Sequence, residues 1–153
     1  MEGRCTCGAM HYRMTRRPLF VHACHCSWCQ RESGSAFALN AMIEAEFLVV
    51  LAGEPEEVPT PSNSGKGQVI ARCPACKVAL WSHYGGVRTV AFVRVGTLEK
   101  PGECPPDIHI FTATKLDWLV LDGRVPVVAE YYDRKVMWPE ESLRRREVML
   151  GKG

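Results

Sequence analysis

The chain has 153 residues, 46% of them hydrophobic and 24% charged, and its formal net charge is +2. This size and composition predict one soluble globular domain over residues 1–153, with a core at about 3–123 and a C-terminal extension at about 131–153. So small a net charge gives no support to nucleic-acid or membrane binding. With neither an apolar leader nor an apolar stretch near ~20 residues, we expect a cytoplasmic protein without a membrane span.

Short apolar or alternating stretches, separated by turn residues, predict a mainly β fold of antiparallel strands. In chain order the predicted strands lie at 9–14, 19–24, 35–43, 47–52, 68–72, 79–84, 88–95 and 107–112. The pair Gly85-Gly86 indicates a hairpin turn. The segments 59–67 and 100–106 have the proline and glycine content of loops.

Only the tail is typical of a helix. It opens with Pro139 and two glutamates and ends near Gly151, which matches the usual start and stop signals of a helix. We expect the run Arg144-Arg145-Arg146 to lie on a solvated face of this helix.

Four of the eight cysteines form two pairs that are far apart in the sequence. Cys5 and Cys7 would point to the same face of a strand, and Cys73 and Cys76 form a C-x-x-C knuckle. Disulfides are rare in a reducing cytosol, so two such pairs predict a closed, four-thiolate structural zinc site. The alternatives are two pairs of free buried cysteines, or a redox pair, which lacks its usual βαβ surroundings.

A second cluster places Cys24, Cys26 and Cys29 within six residues. Three ligands leave one tetrahedral position open, which is typical of catalytic zinc. Zinc with three thiolates carries a net charge of −1, so it suits the binding and deprotonation of a thiol better than the generation of hydroxide. The alternative is a second closed site, completed by Cys104 or His109; otherwise Cys104 is expected to be a free thiol.

A bound thiolate would bring this second site to −2, so we expect its zinc to be the more labile ion and a nearby cation to help. By proximity in the sequence, the candidate cations are His25, Arg31 and Arg72. His25 and His109 are the first candidates for a general acid or base.

Four segments resemble the glutathione-dependent formaldehyde-activating family, which also includes centromere-protein-V-like members. They are Gly3-Arg4-Cys5-Thr6-Cys7-Gly8, residues 24–31 with Ser33-Gly34, Arg72-Cys73-Pro74-Ala75-Cys76, and Gly96-Thr97-Leu98 followed by His109-Ile110. The resemblance runs from about residue 3 to 123 and includes seven cysteines in order and spacing. The knuckle is followed by Lys77, where the family usually has glycine.

The resemblance implies a β-tent of short antiparallel sheets organised around two zinc ions. It assigns the structural zinc to Cys5, Cys7, Cys73 and Cys76, and the catalytic zinc to Cys24, Cys26 and Cys29. It also implies carbon–sulfur lyase activity, in which the thiol of glutathione adds reversibly to formaldehyde to give S-hydroxymethylglutathione.

Two hypotheses follow: a zinc enzyme that acts on a small thiol adduct, or a non-catalytic, zinc-stabilised binding module. In the first, arginines near the site would meet the carboxylates of glutathione. The candidates are Arg16, Arg17, Arg31 and Arg72.

Overall fold

A computed structural model describes residues 1–151 of the chain. Within that range the strands are β1 (Glu2–Arg4), β2 (His11–Met14), β3 (Phe20–Cys24), β4 (Ala38–Glu44), β5 (Leu48–Ala52), β6 (Glu56–Thr60), β7 (Gln68–Arg72), β8 (Ala79–Tyr84), β9 (Val90–Arg94) and β10 (Ile108–Ile110). The helices are α1 (Ser27–Ser33), α2 (Arg134–Met137) and α3 (Glu140–Met149).

The strands form two sheets. A three-stranded sheet has the order β1-β2-β5, and a seven-stranded sheet has the order β10-β3-β4-β9-β8-β7-β6. Neighbouring strands are antiparallel except β10 and β3, which run parallel. The prediction of a mainly β, antiparallel fold with a C-terminal helix is confirmed.

The two faces of the large sheet pack against two different hydrophobic clusters. On β3, Val21 and Ala23 point to one face, while His22 and Cys24 point to the other, because side chains alternate along a strand. The first face packs against the three-stranded sheet, where the rings of Tyr12 and Trp81 meet edge to face with centroids 5.6 Å apart.

The C-terminal segment covers part of the second face. The indole of Trp138 stacks on Phe20 with centroids 5.7 Å apart, and the Ser142 hydroxyl donates to the Leu19 carbonyl at 2.7 Å. Arg145 donates to both carboxylate oxygens of Glu44 at 2.8 and 2.6 Å. The expected solvated arginine face is therefore wrong for Arg145, whose side chain is 13% exposed and forms a buried ion pair.

Several elements differ from the sequence prediction. Helix α1 lies between two predicted strands, where no helix was expected; it buries none of its residues, so its sequence shows no helical periodicity. Strands β1 and β6 are short and largely polar, and they were not predicted either. None of the helices within residues 1–151 is long and apolar enough to cross a bilayer. Residues 152 and 153, the end of the predicted domain, lie outside the described residues.

Candidate metal centres and the adjoining cavity

The four-cysteine cluster joins the N-terminus to the β7–β8 turn. The sulfurs of Cys5, Cys7, Cys73 and Cys76 all lie within 4.8 Å of one another. The Sγ–Sγ distance is 3.5 Å between Cys5 and Cys7 and 3.7 Å between Cys7 and Cys73. Tetrahedral zinc with Zn–S bonds of about 2.3 Å needs sulfurs roughly 3.8 Å apart, so this donor set fits zinc.

A turn, rather than a strand, brings the first pair together. Strand β1 ends at Arg4, and the amides of Gly8 and Met10 fold back to the Cys5 carbonyl at 3.2 Å and the Cys5 sulfur at 3.2 Å. The expected strand geometry of Cys5 and Cys7 is therefore wrong, although their thiols do point toward the same place.

The second pair is shaped by a tight turn with an unusual residue. The Lys77 amide donates to the Cys73 carbonyl at 2.9 Å, and the Cys73 amide donates to the Val78 carbonyl at 3.0 Å. Closing this turn puts Lys77 at φ 61°, in the left-handed region that favours glycine. The backbone conformation thus explains why glycine is usual at this position.

The three-cysteine cluster lies where β3 passes into α1. Cys24 is the last residue of β3, Cys26 is the N-cap of α1, and Cys29 is in the first turn of that helix. The three sulfurs lie within 4.8 Å of one another. Hydrogen bonds from the thiols of Cys24 and Cys29, and then from backbone amides, lower the pKa of Cys26. The two neighbouring thiols, and after them the first amides of α1, therefore favour a thiolate at Cys26.

The loop that carries this cluster is held by hydrogen bonds to β10, to Thr114 and to the side chain of Gln30. The His25 amide donates to the Ile110 carbonyl at 3.0 Å, which ties the loop to β10. The Gln30 side chain donates to the His25 carbonyl at 2.7 Å and to the Thr114 carbonyl at 2.9 Å. The three thiols are thus positioned by an ordered turn.

Within residues 1–151, no fourth Cys, His, Asp or Glu ligand joins these three sulfurs. Cys104 lies in a separate cavity with Arg17 and Asp107, and burial raises its pKa to about 11. His109 faces away toward His25, with its Nδ1 2.8 Å from the His25 Nε2. Neither alternative ligand is therefore in place, and the cluster keeps an open side.

A cavity of about 530 Å³ adjoins Cys24 and Cys29. This volume lies within the usual range for small-molecule sites, roughly 300–1,000 Å³. Its walls come from the large sheet, the loop before β7, the segment after β10 and the C-terminal segment. The lining residues are His22, Cys24, Cys29, Asn40, Ser62, Asn63, Ser64, Tyr84, Phe92, Ile110, Phe111, Tyr131 and Arg134.

Two titratable groups that line the cavity, His22 and Tyr84, are held in their neutral forms. Burial raises the pKa of Tyr84 to about 12, so it stays a phenol at neutral pH. Burial, and to a lesser degree the charge of Arg134, lowers the pKa of His22 to about 4. The His22 Nε2 lies 2.6 Å from the Tyr132 hydroxyl, and Arg94 donates to Asn40 at 2.5 Å.

The cations and histidines that the sequence indicated as site residues do not line this cavity. His25 is fully buried behind the loop, and burial lowers its pKa to about 4. Arg72 pairs with Glu32, and Arg16 lies over the Phe47 ring at 4.1 Å. Of the predicted site residues, the described cavity wall includes Cys24 and Cys29. Sequence reasoning missed Asn40, Tyr84, Arg134 and Ser62–Ser64, which come together only through strand register and loop packing.

The chain is similar to a curated protein and to a solved structure. A protein of Halomonas elongata named "Putative glutathione-dependent formaldehyde-activating enzyme" is 26% identical over 157 residues, which cover 99% of this chain and 96% of that protein. A crystal structure of a Rhodobacter sphaeroides protein is 19% identical and has a TM-score of 0.52. It covers 84% of this chain and 100% of its own, and this likeness concerns the fold.

The family model described as "Glutathione-dependent formaldehyde-activating enzyme" matches residues 1–114. That range contains both cysteine clusters and most of the cavity wall. The chain therefore belongs to the glutathione-dependent formaldehyde-activating family.

Proposed function

We propose that the protein is a zinc-dependent carbon–sulfur lyase that adds the thiol of glutathione, or of a related compound, to formaldehyde. The observation that carries this proposal is the open three-cysteine cluster beside a cavity of small-molecule size. Family membership supports a glutathione-related reaction. The two clusters have different roles in this proposal. The four-cysteine cluster stabilises the fold, and the three-cysteine cluster faces the substrate.

In this proposal Cys5, Cys7, Cys73 and Cys76 hold a structural zinc, and Cys24, Cys26 and Cys29 hold a catalytic zinc. Zinc with three thiolates and an open position supplies a place where a substrate thiol is bound as its thiolate. The chain's own part is to keep three sulfurs together on one side and to leave the cavity side free.

The reaction needs no oxidant or reductant. A carbon–sulfur bond forms between the substrate sulfur and the formaldehyde carbon, the carbonyl π bond opens, and the proton lost by the thiol ends on the new hydroxyl. Tyr84 lines the cavity as a phenol, so we propose that it donates a hydrogen bond to the oxygen on which negative charge develops. Phe92 and Phe111 line the same cavity, and in this proposal their apolar rings limit the access of water to the adduct.

The test is turnover by a Cys29→Ser variant, with Cys104→Ser as the matched control. Both remove one thiol, but Cys104 lies outside both clusters. We expect Cys29→Ser to fold, to keep one zinc, and to lose roughly 100-fold or more in S-hydroxymethylglutathione formation. The control should keep two zinc ions and wild-type turnover. If folded Cys29→Ser with its first zinc intact keeps full turnover, the alternative of a non-catalytic, zinc-stabilised binding module is favoured.

A further inference from the structure

The outer wall of the cavity comes from a part of the chain beyond the family match. That match ends at residue 114, whereas Tyr131 and Arg134 line the same cavity as Cys24 and Cys29. The C-terminal segment therefore adds to the site something that the shared part of the fold does not contain.

The described lining of the cavity contains a basic side chain but no acidic one. Arg134 is the one Lys or Arg side chain among the described lining residues, which include no Asp or Glu. Within residues 1–151 its guanidinium forms no ion pair. The neighbouring Asp133 carboxylate instead accepts the Lys135 amide at 2.9 Å. A half-buried guanidinium without an anionic partner is suited to a carboxylate ligand.

The segment that carries Arg134 is anchored to the sheet. The Tyr132 hydroxyl accepts a hydrogen bond from the Trp138 indole at 2.8 Å and lies 2.6 Å from the His22 Nε2. The Tyr131 ring stacks on Tyr132 with centroids 4.7 Å apart, and the Arg134 guanidinium lies 6.0 Å from the centroid of Tyr131. Arg134 thus lies beside the ring of Tyr131, whose position is fixed from β3 through Tyr132 and His22.

These contacts also separate Arg134 from the three cysteines. His22 is two residues before Cys24 on the same face of β3, and its ring stacks on Tyr131 at 6.3 Å between centroids. A ligand whose sulfur lies at the cysteines must extend past His22 and Tyr131 to reach the guanidinium.

We propose that Arg134 binds a carboxylate of the substrate and thereby selects thiols of peptide size that carry an anionic group remote from their sulfur. This inference rests on the proposed function for the position of the sulfur. It names the substrate class of the same site: acidic thiols such as glutathione are accepted, and thiols whose carboxylates are blocked lose the contact.

Binding tests the inference without any chemistry at the sulfur. The zinc-loaded protein is titrated with S-methylglutathione, and with its diethyl ester, while the dissociation constant is followed by ¹⁵N NMR. Arg134→Gln is compared with Arg144→Gln, which makes the same change of charge at an exposed residue paired with Glu140. The NMR spectrum of each variant also reports its fold.

We expect Arg134→Gln to weaken binding of the diacid roughly 10-fold or more, the loss usual for one charge-assisted hydrogen bond. Arg134→Lys should lie between Arg134→Gln and wild type, and Arg144→Gln should bind as wild type does. The ester should bind wild type and Arg134→Gln equally. Equal dissociation constants for the diacid in Arg134→Gln and Arg144→Gln, or no saturable binding to wild type, would overturn the inference.

Turnover separates this inference from the proposed function. With glutathione and formaldehyde, Arg134→Gln should raise KM and leave kcat near wild type, because Arg134 lies away from the reacting sulfur. If no thiol is turned over while S-methylglutathione still binds through Arg134, the lyase proposal fails and the carboxylate site stands. If glutathione is turned over normally and the Arg134→Gln variant has the KM of wild type, the lyase proposal stands and the carboxylate site fails.

Discussion

The four-cysteine and three-cysteine clusters use the same ligand atom in different surroundings. In the first, Cys5 and Cys73 belong to the core between the two sheets, and the two cysteine pairs are 66 or more residues apart in the sequence. The second comes from one short loop and borders a cavity. The difference teaches that, in this protein, distant segments complete the closed cluster, whereas the open cluster takes all three ligands from the β3–α1 junction.

Breaking the closed cluster should have the largest effect. A structural zinc contributes about 10–16 kcal/mol in small zinc domains, which is comparable with the whole stability of a domain, about 5–15 kcal/mol. We expect Cys73→Ser to lose the cooperative thermal transition measured by circular dichroism. Cys29→Ser, at the open cluster, should keep this transition. A Cys73→Ser variant that melts cooperatively at the wild-type temperature would contradict the structural role of the first cluster.

Competition with a chelator sharpens the same comparison. The open cluster has three protein ligands and a face on the cavity, so its ion should leave first. With a chromogenic chelator, we expect two phases, one zinc per chain in each, with the faster at least about 10-fold faster. Glutathione should slow the fast phase by filling the open position. Two equally slow phases, indifferent to glutathione, would indicate that both sites are closed.

Ligand spacing made both clusters predictable from the sequence. C-x-x-C and closely spaced thiols need only a turn to meet, so spacing indicated each local group of thiols. The four ligands of a closed zinc site then indicated that the two remote pairs meet. The mainly β fold was predictable for a similar reason, since alternation and turn residues are local signals. Helix α1 was not, because it begins at the thiol cap of Cys26 and buries none of its own residues.

The cavity wall could not be predicted, because it depends on contacts between remote segments. Asn40 reaches the site through its pairing with His22 across β3 and β4, and Tyr84 through the order of the large sheet. Arg134 arrives through the docking of the C-terminal segment, which follows from the bonds of Tyr132 and Trp138. For the same reason, proximity in the sequence wrongly indicated Arg31 and Arg72 as cations of the site, because both lie outside this wall.

The smallest expected effect is on the free energy of unfolding, and it comes from the backbone conformation of Lys77 beside the four-cysteine cluster. Lys77, beside Cys76, adopts φ 61°. A residue with a Cβ lowers the free energy of unfolding by about 1–2 kcal/mol in this conformation. Glycine avoids that strain, but its greater freedom in the unfolded chain cancels part of the gain. Lys77→Ala is the matched control, because both substitutions remove the exposed ion pair with Glu56. We expect Lys77→Gly to unfold in urea with a free energy about 1 kcal/mol higher than Lys77→Ala. Equal stabilities would mean that the turn after Cys76 relaxes around any side chain, and that the left-handed backbone of Lys77 carries no strain.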